Sequence, residues 1–111
     1  MQTSAEYQDG VLTLCCFGEL DHSAAAYVMR AAETAVEEYM PRHFVVDFSG
    51  LSFMDSSGIA VLLKIKQLLF QSHGSVEIVG ANEQTMRVLE LSGLSGMLRR
   101  TEMKQEGCEI T

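Results

Sequence analysis

The sequence predicts an α/β fold, a single domain with a mixed sheet of four to five strands and helices packed on it. Three observations carry this expectation. The turn signal Asp9-Gly10 stands between two strand-forming stretches. Further on, strongly helical periodicities alternate with short apolar runs. The run from His43 to Phe48 is almost continuously apolar, the pattern of a strand covered on both faces. Alternation of this kind implies parallel pairing through right-handed crossovers, while the hairpin supplies the antiparallel part of the sheet.

Each element has its own signal. Val11 to Phe17 is rich in strand formers, and Ala5 to Gln8 pairs with it across the turn. After Gly18-Glu19-Leu20-Asp21, the segment from about Ser23 to Met40 sets Tyr27, Val28, Ala31, Ala32, Ala35, Val36 and Tyr39 at helical spacing, and Pro41 stops it. His43 to Phe48 follows as a strand. Ser57 to Ser72 is an amphipathic helix with Val61, Leu62, Ile65, Leu68 and Leu69 on one stripe and Gly74 as its stop. Ser75 to Val79 is the next strand. Asn82 caps a third helix in which Met86, Leu89 and either Val88 or Leu91 face inward, and Ser92-Gly93-Leu94 ends it. Leu98 to Glu102 is a candidate fifth strand, and the polar Lys104 to Thr111 reads as a frayed tail.

Composition narrows the function classes. The chain has 111 residues, 47% of them hydrophobic, enough for one core over residues 1–111 and too few for two. A formal net charge of −7 with scattered basic residues leaves no electrostatic footprint for direct nucleic-acid or anionic-membrane binding, which points to protein partners. Three cysteines, with Cys15 and Cys16 adjacent on opposite faces of a strand and Cys108 in the tail, form no disulfide framework. His22, His43 and His73 lack metal-ligand spacing and read as surface or strand-edge residues. No metal or cofactor is expected. Arg99 and Arg100 read as solvated. Without a leader or an apolar run long enough to span a bilayer, the expectation is a soluble cytoplasmic protein.

The stretch Leu51-Ser52-Phe53-Met54-Asp55-Ser56-Ser57-Gly58 carries the functional information. An apolar strand ends there in an acid, two hydroxyls and a glycine, immediately before the amphipathic helix. Unpaired backbone N–H groups and the positive end of the dipole at such a helix start favour a phosphate. From local pattern alone Ser56 reads first as an ordinary helix cap, with phosphoryl acceptor as the sharper alternative. Asp55 either orients that hydroxyl or ligates a partner's magnesium, or it is simply a carboxylate favoured by the dipole; the last reading is preferred. Gly58 allows a partner or a nucleotide phosphate to approach the first turn closely. Gly18 to Asp21 reads as a strand-to-helix turn with Asp21 as cap. Met54 stands two before Ser56, so no Gly-x-Ser-x-Gly nucleophile elbow exists, and no phosphate-binding loop with its lysine is present. An enzyme with catalytic residues of its own is not expected.

The motifs Gly18-Glu19-Leu20-Asp21, Leu51 to Gly58 and Leu91-Ser92-Gly93-Leu94, in this order and spacing, resemble those of the bacterial anti-sigma factor antagonists of the STAS superfamily, above all the sporulation group. The resemblance covers nearly the whole chain and implies a single STAS domain. It implies that Ser56 is phosphorylated by a partner that is both anti-sigma factor and serine kinase, holding Mg-ATP or ADP, and that a serine phosphatase restores the hydroxyl. It implies also that Asp21 lies beside the acceptor, in a partner-binding surface with Asp55, Ser56, Ser57 and Gly58, and that Ser57 has a packing or capping role. With Ser56 free the protein would bind the kinase and release a sigma factor; phosphorylated, it would let go. The rival reading is an unphosphorylated STAS scaffold subunit of a sensory or lipid-transport assembly. A small-ligand or nucleotide-binding module is weaker, since no charged pocket is legible.

Overall fold

The computed structural model of the protein describes residues 1–99. β1 (Gln2–Gln8) turns through Asp9 and Gly10, both at positive φ, into β2 (Val11–Leu20). There follow α1 (His22–Tyr39), β3 (His43–Met54), α2 (Ser56–Gln71), β4 (Ser75–Val79), α3 (Glu83–Ser92) and a short 3-10 turn at Ser95–Met97. The sheet order is β1-β2-β3-β4, with β1 antiparallel to β2 and both other pairs parallel. This is the mixed α/β architecture that the alternation of elements predicts. Instead of a fifth strand over Leu98 to Glu102, Leu98 makes one parallel bridge to Ile78, with the Arg99 N–H donating to the Ile78 carbonyl at 2.9 Å. The remainder of that segment, the tail from Lys104 to Thr111, Arg100 and Cys108 lie outside the described residues.

Several boundaries differ from expectation for identifiable reasons. β1 extends back to Gln2 because its register with β2 is unbroken from Gln2↔Phe17 to Gln8↔Val11. α1 buries Ala24, Ala25, Val28, Ala32 and Ala35, leaving Tyr27 on its flank at 47% exposure. It closes on Met40 in the left-handed conformation, φ 48°, before Pro41. α2 ends in a turn in which His73, not Gly74, takes positive φ, 62°. Gly74 serves close approach instead: its N–H reaches the Leu69 carbonyl at 2.6 Å, and a Cβ there would run into the Leu69 side chain. In α3, Leu91 is 84% exposed, whereas Val88 packs against the core.

β3 runs six residues past Phe48, where the expected strand ends, through Ser49-Gly50 to Met54. It does so by two register shifts against β2, between Cys15 and Phe17 and between Gly18 and Glu19, each adding one residue to β3. Phe48 and Ser49 together face Cys16, and Ser52 is the second extra residue, its hydroxyl donating to the Gly18 carbonyl at 3.1 Å. Inward positions on β3 therefore change parity twice: Phe44, Val46 and Phe48, then Leu51, then Met54, all buried.

The expectation of cover on both faces of β3 is not met. Leu12, Leu14 and Cys16 of β2, Phe44, Val46 and Phe48 of β3, and Ile78 of β4 share one core with the helices. From α2 this core takes Leu62, Ile65 and Leu69, all fully buried, each contributing about 1.5–3 kcal/mol by leaving water. Burial pushes the Cys16 thiol up to about 12, so it is an inert core residue. The opposite sheet face carries Thr13, Cys15, His43, Asp47 and Glu77, and no described helix covers it. Val45 is buried there beside its cross-strand partners Thr13 and Glu77 without joining the core cluster. An apolar run signals burial, and neighbours within the sheet suffice to bury one valine.

That open face also corrects two residue expectations. His43 stands on an interior strand with both ring nitrogens engaged, Nδ1 with Ser75 Oγ and Nε2 with Glu77 Oε1, each at 2.6 Å. Arg99 pairs with the other oxygen of Glu77 rather than standing free in solvent.

Candidate functional site

The site is built where two parallel strands end side by side. Leu20 and Met54 are the last paired residues of β2 and β3, and each chain then leaves the sheet through an aspartate into a helix. Asp21 and Asp55 adopt nearly the same backbone conformation, φ −106° and ψ −172° against φ −108° and ψ −168°. The Asp55 N–H donates to the Leu20 carbonyl at 3.3 Å, so the two turns are joined.

Both aspartates are helix caps. Asp21 Oδ1 accepts from the Ala24 N–H at 3.0 Å and from the Ser23 hydroxyl at 2.9 Å. Those two bonds, the hydroxyl's first, hold the Asp21 carboxyl below its usual range, so it is ionised at neutral pH. Asp55 Oδ1 accepts from the Ser57 N–H at 2.8 Å, which satisfies one of the orphan donors at the start of α2. The reading of Ser56 as the helix cap is thereby overturned. An aspartate one residue earlier already fills that role, and Ser56 occupies the first helical position.

Freed from capping, Ser56 is exposed, and no described residue hydrogen-bonds its hydroxyl. Ser57 is half-buried and belongs to the cap. Gly58 is buried, and a Cβ there would come within 2.5 Å of the Met54 sulfur and 3.2 Å of Leu20 Cδ2. Its missing side chain therefore serves packing of α2 onto the strand ends, not the approach of a partner from outside. Along the outside of these turns an apolar groove of about 320 Å³ runs between α1 and α2, lined by His22, Ala25, Ala26, Met29, Ser57 and Ala60.

Gln84 belongs to the site's framework and was not legible in the sequence. Beyond the end of β4, β3 has no strand partner on that side; Gln84 supplies one, its Oε1 accepting from the Met54 N–H at 3.1 Å and its Nε2 donating to the Met54 carbonyl at 2.8 Å. Asn82 adds to the clasp. Its Oδ1 caps α3 at the Thr85 N–H, 2.8 Å, and its Nδ2 donates to the Leu51 carbonyl at 3.3 Å. An Asn-x-Gln pattern opening a helix is the only trace of this in the chain.

Chemically, the arrangement offers an accessible hydroxyl at a capped helix start, with the Asp55 cap directly before it and the Asp21 turn joined to that cap. Among the described residues no cluster of His, Cys, Asp or Glu could hold a metal ion, and no helix is long and apolar enough to cross a membrane.

Comparison with known proteins agrees with this geometry. Residues 2–106 match the STAS domain model. An anti-sigma F factor antagonist from Paenibacillus polymyxa is 34% identical over 94 residues, covering 85% of this chain and 80% of that protein. The solved structure of the anti-sigma factor antagonist SpoIIAA in its unphosphorylated form is similar with a TM-score of 0.79 at 25% identity, covering 93% of each chain. The Bacillus cell fate determinant SpoIIAA in its phosphorylated form is similar with a TM-score of 0.70 at 25% identity, covering 93% of this chain and 96% of that one.

Proposed function

Because the chain belongs to the STAS-domain family, among its anti-sigma factor antagonists, we propose that it works as a partner switch set by phosphorylation of Ser56. Unphosphorylated, it binds an anti-sigma factor that is also a serine kinase, and a sigma factor is released. The kinase, holding Mg-ATP, then transfers a phosphoryl group to Ser56 Oγ, and the complex dissociates. A serine phosphatase restores the hydroxyl. The binding surface comprises Asp21, Asp55, Ser56 and Ser57, with Gly58 beneath them; the whole cycle takes place in the cytoplasm.

One observation carries this reading: the Ser56 hydroxyl is exposed at the first position of α2 while Asp55 does the capping. The serine can thus be modified without loss of the helix start. A solved relative in the phosphorylated form supports it as well. Phosphorylation adds about −1.5 to −2 charges beside the ionised Asp21 and next to the Asp55 cap. Changing occupancy from 1:99 to 99:1 requires about 5.5 kcal/mol of differential affinity, and one lost hydrogen bond supplies only about 1 kcal/mol. The remainder has to come from desolvating an added dianion beside carboxylates and from its bulk at the contact.

The test is phosphosite mapping by mass spectrometry after incubation with a cognate anti-sigma kinase and Mg-ATP, alongside S56A and S56D. Phosphate confined to Ser56, with S56A binding but not inactivated by Mg-ATP and S56D not binding, is the expected result. Phosphate elsewhere, or tight binding by S56D, refutes it. A stable complex with non-kinase subunits and no phosphate would move the assignment to a scaffold subunit.

A further inference from the structure

The outer edge of β1 is unusually bare. The strand pairs with β2 along its full length without a bulge, and no described residue pairs with its other side. Its sequence, Gln-Thr-Ser-Ala-Glu-Tyr-Gln, contains no lysine or proline and a single charge, so it lacks the devices by which edge strands repel their own kind.

The helix-facing side of this edge is also unfinished. Thr3, Ala5 and Tyr7 pair with Cys16, Leu14 and Leu12, all core residues, so they point toward the helix layer. There α1 covers them incompletely. A groove of about 350 Å³ remains, lined by Ala5, Tyr27, Arg30, Ala31, Thr34 and Glu38. Tyr7 and Tyr27 are 41% and 47% exposed beside it.

The geometry of this groove is self-complementary. Because α1 connects two parallel strands, it runs in the same direction as β1, and Tyr7 stacks on Tyr39 with ring centroids 4.9 Å apart. Two residues back from Tyr7, Ala5 lies about 6.6 Å lower along the strand, a distance equal to about four helix residues. Ala5 is therefore level with Thr34 and Ala35, which line the groove with it. Thr34 is also midway between Arg30 and Glu38, two exposed side chains that make no ion pair with any described residue.

We propose that the β1 edge is a homodimer seam, in which two copies join their sheets by antiparallel β1 pairing about a two-fold axis at Ala5, closed by reciprocal Arg30–Glu38 ion pairs. In that register Ala5 meets Ala5, Ser4 meets Glu6, Thr3 meets Tyr7 and Gln2 meets Gln8, with no like charges opposed. The same axis sets Arg30 of each copy against Glu38 of the other, locally offsetting the repulsion between two chains of net charge −7. The two α1 helices would lie about 10–14 Å apart, a gap for Tyr27 of both copies to fill. The seam lies at the sheet edge remote from β4, and α2 packs on α1, β3 and β4, so both Ser56 hydroxyls remain open. The inference is independent of partner switching.

Sedimentation equilibrium of the full chain and of R30E, E38R and R30E/E38R tests it. Each single reversal is expected to weaken the dimer by about tenfold or more and the double reversal to recover it to within about threefold. General charge repulsion would give a different pattern, since R30E makes the chain more acidic and E38R less, so only one of them would weaken association. A chain that stays monomeric up to about 1 mM overturns the proposal. So do single variants that dimerise as the parent does, or a double variant that does not recover. Thermal unfolding of each variant, expected within about 0.5 kcal/mol of the parent for exposed positions, separates loss of the seam from loss of the fold.

Discussion

Gly58 is the position at which the packing under the site is most sharply tested. A methyl group there would approach the Met54 sulfur to 2.5 Å and come closer still to its Cγ, with Leu20 Cδ2 at 3.2 Å. Met54 and Leu20 are both 0% exposed, so neither can yield into solvent. Overpacking of this kind costs about 1–3 kcal/mol, and the better helix propensity of alanine returns at most about 1 kcal/mol. G58A is thus expected to lose about 1–2 kcal/mol, a fall in melting temperature of about 5–10 °C for a domain of this size. M54A alone should lose about 2–5 kcal/mol by leaving a cavity. In that background the new methyl has space, and G58A should turn neutral or stabilising. Urea unfolding of the four proteins, followed by far-UV circular dichroism, gives the coupling directly, expected at about 2 kcal/mol. Equal cost of G58A in both backgrounds would refute the clash. Unchanged stability of G58A with loss of anti-sigma binding would return Gly58 to the partner surface.

Three further outcomes follow from named contacts. Thr85 is fully buried and its hydroxyl has no partner among the described residues, so T85V should raise stability by about 1 kcal/mol; a loss of similar size in urea unfolding would mean that water or another group satisfies the hydroxyl. D55A should cost about 1 kcal/mol as a lost cap while S56A leaves stability nearly unchanged, and the reverse order would overturn the capping assignment. For Glu77, burial alone would raise the carboxyl, but the hydrogen bonds and charges of Arg99 and His43 outweigh it and the net shift is downward from 4.5. A carboxylate lowered by folding lends stability above its unfolded pKa and withdraws it as pH falls through the folded one. Stability should therefore decline below about pH 4.5, and E77Q should flatten that decline in urea midpoints taken between about pH 6 and 3; an unchanged acid limb would show that the cluster contributes nothing.

The features legible in the sequence were those set by local rules. Asp9-Gly10 is a turn because both residues occupy positive φ, Asn82 and Gly93 bracket α3 as cap and left-handed stop, and the α2 stripe is buried as its periodicity requires. Longer-range effects were hidden. Ser49-Gly50 has turn composition, yet it sits inside β3 because Asp47 Oδ1 accepts from the Ser49 N–H and hydroxyl and the strand bulges around it. The open sheet face was concealed by Val45, whose burial comes from strand neighbours. At the site, Asp21 was identifiable as a cap from its own turn, whereas the choice between Asp55 and Ser56 depended on where β3 ends. That end point is fixed by pairing with Leu20 and by Gln84, neither of which is local to the motif.

The double bulge of β3 has a bearing on how this chain can change in length. Side chains on a strand alternate with period two, and a bulge sets one supernumerary residue beside another opposite a single partner residue, so everything after it keeps its pairing and its face. Met54 faces the core opposite Leu20, and the Asp55 turn meets the Asp21 turn, although two such residues intervene after Val46. Deleting Ser49, Ser52 or both would therefore remove a bulge while leaving Met54 paired with Leu20 and Ser56 on the same side of the sheet. The position of Ser56 is in this sense set by pairing and not by residue count: this part of β3 can lose a bulged residue, one at a time, without turning the site over.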